Sequence, residues 1–208
     1  MTTPLGTISV ETSNDRRATV SRETRETTVA ISLDLDGEGT ASIETGVGFF
    51  DHLLSSLAHH GLFDLDVRTR GDLGVDEHHS VEDTALVLGA AFAEALGDRA
   101  GIVRFGDATV PMDESLATAV VDIGGRPYAV VELAFRGERV GELPLQLVEH
   151  AIEAFARTAG ATIHVRGSGR NDHHLAEAAF KALGRALRAA CEPDPRRRGV
   201  ASTKGSLG

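Results

Sequence analysis

His78-His79-Ser80-Val81-Glu82 opens one alanine-rich stretch of the chain, and His173-His174-Leu175-Ala176-Glu177 opens another, 95 positions later. Both pentapeptides read HHxxE. Upstream of them, Leu65-Asp66-Val67-Arg68 is matched by Ile163-His164-Val165-Arg166. Further out, Asp51-His52 is matched by Glu149-His150 at an offset of 98, and Ala18-Thr19-Val20 by Ala108-Thr109-Val110 at 90. A single triplet could recur by chance; landmarks repeated in one order indicate an internal duplication.

Each half carries the same run of elements. In the first, Val29, Ile31, Leu33 and Leu35 alternate with polar residues, which is strand periodicity, and Asp36-Gly37-Glu38-Gly39 supplies a turn into a hairpin partner at Thr40 to Thr45. Phe49, Leu53 and Leu57 then mark a helix broken at Gly61, followed by a short strand at Leu65 and Val67 and a helix from His78 to Leu96. In the second half, Ala117 to Phe135 reads as a hairpin around Gly124-Gly125, then a helix from Leu147 to Thr158, a strand from Ala161 to Arg166 and a helix from His173 to Cys191, with Asp172 as its N-cap. The expected fold is α+β and internally duplicated. Residues 1–98 and 99–193 each form a small β-sheet packed by two α-helices, strand pair–helix–strand–helix, and residues 194–208 form a tail that is mobile by default.

The chain has 208 residues, 41% hydrophobic and 25% charged, an ordinary globular mix. Its net charge of −10 disfavours a nucleic-acid partner. The surplus of arginine over lysine suits either a salt-rich cytoplasm or a GC-rich genome. There is no apolar run of the roughly 20 residues that a membrane span needs. The start, MTTPLGTISV, lacks the features of a secretory leader, so a cytoplasmic protein is expected. The one cysteine, Cys191, excludes an internal disulfide and a thiolate metal cluster.

The histidines carry the chemistry. On a helix, residues three or four apart share a face, so each glutamate of an HHxxE sits beside a histidine of its own pair. Adjacent histidines point about 100° apart and cannot easily ligate one ion together. Two ions are the natural solution, the histidines of each pair reaching different ones. Six histidines (His52, His78, His79, His150, His173, His174) and two glutamates (Glu82, Glu177) divide into three imidazoles and one carboxylate per ion. That set suits first-row divalent metals, with a closed tetrahedral zinc site as the alternative. His59 and His164 read as surface and strand residues, and His60 as a possible helix-end residue. Arg104, Arg126 and Ser202-Thr203-Lys204 are candidates to hold an anion, although most surface arginines merely solvate. Glu23, Glu26 and Asp113-Glu114 are unassigned carboxylates at corresponding points of the halves. The residues alone leave open a dimetal phosphoester hydrolase, or a protein in which metal only joins subunits.

F-D-H at 50–52, D-E-H-H-S-V-E-D at 76–83, R-F-G-D-A-T-V-P-M-D-E at 104–114, D-I-G-G-R-P-Y at 122–128, N-D-H-H-L-A-E-A-A-F-K-A at 171–182 and S-T-K-G at 202–205 together resemble the imidazoleglycerol-phosphate dehydratase family. The resemblance runs from about Arg17 to Gly205. It implies a lyase that dehydrates D-erythro-imidazole glycerol phosphate to imidazole acetol phosphate in histidine biosynthesis, through a metal-bound imidazolate. It implies two manganese(II) ions per subunit, one on His52, His79, Glu82 and His174 and the other on His78, His150, His173 and Glu177. It also implies Glu26 as the base near the substrate carbons, His60 as a substrate contact, and Arg104, Arg126, Ser202, Thr203 and Lys204 as the phosphate site. Thr203 stands where many relatives have serine, a change that keeps the hydroxyl. The expected assembly is a homo-oligomer of 24 subunits built from trimers, tied together by metal, with active sites between subunits.

Overall fold

A computed structural model describes residues 6–207. The first five residues, part of the segment read above for a leader, and Gly208 lie outside it. The first half runs β1 (Ile8–Asn14), β2 (Arg17–Glu23), β3 (Thr27–Asp34), β4 (Ala41–Glu44), α1 (Gly48–Gly61), β5 (Asp64–Gly71) and α2 (His78–Leu96). The second runs β6 (Phe105–Met112), β7 (Ser115–Asp122), β8 (Tyr128–Leu133), the two-residue strands β9 (Arg139–Val140) and β10 (Leu143–Pro144), α3 (Leu145–Ala159), β11 (Thr162–Ser168) and α4 (Asp172–Cys191).

The two main sheets share one plan. Their orders are β1-β2-β3-β5-β4 and β6-β7-β11-β8. In both, a central strand pairs antiparallel on one side and parallel on the other: β5 between β3 and β4, β11 between β7 and β8. The repeated unit is α+β, and β1 is an addition to the first copy. This plan corrects both expected hairpins. Residues 41–44 pair in parallel with β5 rather than turning back on β3, and β11 inserts between β7 and β8. Short-range alternation identifies a strand but not its neighbour, which here is reached through a helix crossover. The Ala18 and Ala108 triplets are also out of structural register with each other. Val20 lies opposite Ile31, and the matching pair is Ala108 opposite Ala119, counting from the Thr27 and Ser115 ends of β3 and β7.

Strand alternation turns Val29, Ile31 and Leu33 of β3 and Ala117, Ala119 and Val121 of β7 inward. The helices cover these faces. α2 lies on the first sheet and along α3, while α4 lies on the second sheet and along α1. The result is one continuous core shared by both halves. Phe50 and Leu57 of α1, Leu88 of α2, Phe155 of α3 and Phe180 of α4 meet around its centre. The Phe63, Phe92 and Phe155 rings pack edge to face at 5.1 and 5.2 Å, fastening α3 to the first half.

Two glycines set the cross-half spacing. A Cβ on Gly89 of α2 would overlap the Phe155 carbonyl of α3, and one on Gly184 of α4 would overlap the Leu57 carbonyl of α1. These glycines are 95 positions apart, the HHxxE offset, so both copies bring helix backbones together in the same way. The end of α1 differs from expectation. Leu62 rather than Gly61 takes the left-handed conformation (φ 55°), and Gly61 is small because the Phe63 ring and the Gly184 carbonyl crowd it. The N-cap of α4 is Asn171, whose side chain accepts from the His173 N–H, while Asp172 instead accepts from the N–H groups of Arg136 and Gly137. The tail is pinned rather than loose. Ala100 bridges Val200, Ile102 bridges Pro193, and Gly101 N–H donates to the Gly199 carbonyl.

Candidate metal centre

Both HHxxE motifs occupy the first turns of their helices, as the periodicity requires. His78 Nε2 stands 3.6 Å from Glu82, and His173 Nε2 2.9 Å from Glu177, each pair at i,i+4. Because α1 runs along α4, His52 Nε2 comes to 2.8 Å from Glu177 Oε1; because α3 runs along α2, His150 Nε2 comes to 3.3 Å from Glu82 Oε1. Two triads result, His52–His173–Glu177 and His78–His150–Glu82, each with ligand atoms within 4.8 Å of one another. The repeat relates one to the other.

The donor set fits a divalent cation. All four imidazoles turn Nε2 toward the carboxylate at the middle of their triad. His150 Nε2 is buried with no hydrogen-bond partner, an arrangement a bound cation would satisfy. Glu177 is 6% exposed. Burial pushes its carboxyl up, but Lys181 at 2.5 Å, His52 and His173 outweigh burial and hold it down to about 2, so it is an anion ready for a cation.

His79 and His174 sit apart from these triads, as the 100° step between adjacent helical residues dictates. His79 Nδ1 lies 3.1 Å from both oxygens of Asp72, and its Nε2 is 3.8 Å from Glu26. The Asp72 hydrogen bond raises the His79 pKa against the effect of burial. His174 Nδ1 lies 3.0 Å from Glu114 Oε2. That bond, against burial and with the N–H groups of Asn171 and Arg170, holds the Glu114 carboxyl far below the usual carboxylate range. Within one chain the grouping therefore differs from the pairing implied by the resemblance. His173 and Glu177 stand with His52, His78 and Glu82 stand with His150, and the second histidine of each motif faces outward from both sets.

The anion candidates gather elsewhere. Arg104 is buried and committed. Its Nε and Nη2 grip Asp122 at 2.6 and 2.9 Å, Nη1 donates to the Ala201 carbonyl at 2.5 Å, and its guanidinium lies 4.7 Å above the Phe105 ring. It therefore anchors the tail, setting Ser202, Thr203 and Lys204 near Arg126, which is exposed and 3.7 Å from Asp122. Ser202 Oγ accepts from Lys204 N–H in a local turn. His60 lies at the end of α1; burial, then His59, Lys181 and Arg185, lowers its pKa. β6 separates the two regions: Phe105 pairs with Asp122 at one end and Met112 with Ser115, beside Glu114, at the other. Seven residue steps of strand span about 23 Å. A small substrate cannot reach from the tail to the Glu114–His174 end of one chain. Sequence reasoning did not assign Asp72, Asp122 or Lys181, and left Glu114 without a role; the signal for Glu114 was its place in the repeat, matching Glu26.

The family model described as imidazoleglycerol-phosphate dehydratase matches residues 45–187. The chain is similar to imidazoleglycerol-phosphate dehydratase of Gluconacetobacter diazotrophicus, with 54% identity over 194 residues, covering 92% of this chain and 98% of that one. It is similar also to that of Methanoculleus marisnigri, at 55% over 192 residues, covering 92% and 100%. Among solved structures it resembles IGPD from Pyrococcus furiosus, with a TM-score of 0.78 and 36% identity, and imidazoleglycerol-phosphate dehydratase from Staphylococcus aureus, at 0.76 and 34%; each comparison covers 90% of this chain and 99% of the other.

Proposed function

The chain belongs to the imidazoleglycerol-phosphate dehydratase family, lyases of histidine biosynthesis, and from that premise we propose how its residues dehydrate D-erythro-imidazole glycerol phosphate. The observation that carries the reading is the pair of repeat-related His–His–Glu triads. Each triad would hold one divalent ion, manganese(II) by the family resemblance, with His79 and His174 reaching ions on neighbouring chains as the fourth protein ligands. Three donors from within and one from outside would hold each ion by three imidazoles and a carboxylate. Such ions, when bound, supply a Lewis acid that lowers the N–H pKa of a coordinated azole.

That property suits the substrate, whose glycerol proton has no adjacent carbonyl to acidify it, so the ring must accept the electrons. The reaction expels hydroxide from the carbon bearing the ring and removes a proton from the next carbon. The enol then tautomerises to imidazole acetol phosphate. Glu26 would take that proton: its carboxylate is 56% exposed, lies beside His79 Nε2, and makes no hydrogen bond among the described residues. Arg126, Ser202, Thr203 and Lys204 would hold the phosphate, with Arg104 keeping the tail in place and His60 lining the approach. The span from the phosphate residues to Glu114 and His174 favours one chain binding the phosphate while others hold the ring. This supports an obligate homo-oligomer, and by family resemblance a 24-mer of trimers in the cytoplasm. No helix among the described residues is long and apolar enough to cross a membrane. Residues 1–98 and 99–193 would be the duplicated halves, and 194–208 the phosphate-binding tail.

The test mixes two impaired variants, Arg126→Ala and Glu26→Gln, before assembly with manganese, and assays them at substrate far below the KM of Arg126→Ala. Composite sites predict that imidazole acetol phosphate formation returns in the mixture. Release of inorganic phosphate instead of the ketone would indicate a hydrolase, and no turnover of the wild-type assembly would indicate a purely structural metal. For Glu26→Gln alone, turnover should fall about 10²–10⁴-fold at unchanged metal content.

A further inference from the structure

The two outward histidines are held differently, and the difference follows the repeat. Glu26 immediately precedes β3 and Glu114 immediately precedes β7, so they are the same position in the two copies. Asp72 follows Gly71 at the end of β5, and Arg170 follows Gly169 at the matching end of β11; Gly71 and Gly169 face Thr27 and Ser115, the first residues of β3 and β7. In the first copy the strand-end Asp72 holds His79 Nδ1, which leaves Glu26 free beside Nε2. In the second copy that strand-end position is an arginine, and the glutamate itself holds His174 Nδ1.

We propose that Asp72 and Glu114 are positioning residues that fix the tautomers of His79 and His174, so that each presents Nε2 to a metal ion on a neighbouring chain. This inference rests on the metal centre proposed above. A carboxylate oxygen only accepts, so an imidazole bonded to it through Nδ1 carries its proton there and leaves the Nε2 lone pair for an ion. The other four histidines also turn Nε2 to their sites. All six ligands therefore use the same nitrogen. Duplication has divided the labour: Glu114 is committed to orientation, while its counterpart Glu26 stays available to move a proton. Each chain thus supplies one reactive carboxylate, not two.

The surroundings of the two acids make the amide variants behave unequally. Glu114 Oε1 accepts from Asn171 N–H at 2.7 Å, Arg170 N–H at 3.0 Å and Ser115 Oγ–H at 3.0 Å, leaving Oε2 for His174. In Glu114→Gln the single oxygen stays with two backbone donors, because two unmet donors outweigh one. The amide –NH₂ then faces Nδ1 and donates to it, forcing the proton onto Nε2. Asp72 has His79 as its only side-chain hydrogen-bond partner among the described residues, so in Asp72→Asn the amide oxygen is free to turn to Nδ1 and keep the tautomer.

The test records ¹⁵N spectra of histidine-labelled, metal-free protein about two pH units above the ordinary imidazole pKa of about 6.5, then titrates manganese(II) into the same samples. Expected are Nδ1–H tautomers for His79 and His174 in the wild type, and an Nε2–H tautomer for His174 in Glu114→Gln. Manganese affinity at one of the two sites should fall about 10–100-fold in Glu114→Gln and stay within a few-fold of wild type in Asp72→Asn. Equal losses in the two variants, or wild-type affinity in Glu114→Gln, would overturn the inference. Should Glu114→Gln fail to fold, the wild-type spectrum decides, an Nε2–H form of His174 being the overturning result. His174→Ala separates the two layers: if it still binds two ions at wild-type affinity, the metal centre itself is wrong.

Discussion

Adding one methyl group at Gly184 tests whether helix spacing builds the metal centre. In Gly184→Ala the new Cβ overlaps the Leu57 carbonyl oxygen and comes within 3.2 Å of the Leu57 Cα. Restoring ordinary contact at about 3.5 Å parts α1 from α4 by about 1 Å. Such overpacking costs about 1–3 kcal/mol, whereas alanine gains about 1 kcal/mol over glycine in a helix interior. The net loss is about 0–2 kcal/mol, a fall in Tm of up to several degrees for a chain of this length. Its functional effect is local. His52 is on α1 and Glu177 on α4, 2.8 Å apart, and a 1 Å displacement breaks that contact. Metal affinity should drop at His52–His173–Glu177 while His78–His150–Glu82 keeps its affinity. Gly89→Ala, which parts α2 from α3, should weaken the other triad instead. Calorimetry of metal-free protein gives the stability change, and manganese titration followed by electron paramagnetic resonance gives the two affinities. A raised Tm, or equal weakening of both sites by either variant, would refute the reasoning.

Four further outcomes are expected. Arg126→Ala should raise KM about 10–100-fold, the loss of one charge-assisted hydrogen bond, at unchanged stability. Arg104→Ala should instead destabilise by about 3 kcal/mol, because it strands Asp122 and releases the tail; steady-state kinetics and urea titrations separate the two. Cys191 is buried and burial pushes its thiol up to about 12, so Ellman's reagent at neutral pH should leave the native protein untouched and react once per chain after unfolding in guanidinium. Glu177 is depressed in the fold to about 2 against an ordinary value of about 4.3. Its contribution in metal-free protein is therefore complete above about pH 4.3 and lost as pH falls through 2. Circular dichroism of the wild type should show this loss over that window, and Glu177→Gln should show a smaller one, since Glu114 is depressed as well.

The HHxxE motifs were legible because two periodicities agree: i,i+4 places Glu82 by His78 and Glu177 by His173, and the 95-residue offset repeats the pattern. Helix ends at Gly97 and Gly160 followed from backbone conformations that glycine accepts readily. Strand partners were not legible, because β4 finds β5 and β8 finds β11 only after a helix has crossed over. Nor was the grouping of His52 with Glu177, which depends on α1 lying along α4 and so on the size of residue 184. Asp72 carried no signal, since a lone aspartate after a strand resembles any turn residue. Arg104 is only a candidate anion binder by residue type, and its burial against Asp122 and the Ala201 carbonyl makes it an anchor for the residues that are free to bind.

Counting bound manganese while following dehydration tests the account most directly. Metal-free protein titrated with manganese(II) in the presence of imidazole glycerol phosphate should form no ketone at first. Turnover should then rise with occupancy and level off at two ions per chain. Full-rate formation of imidazole acetol phosphate with no divalent ion bound would contradict it.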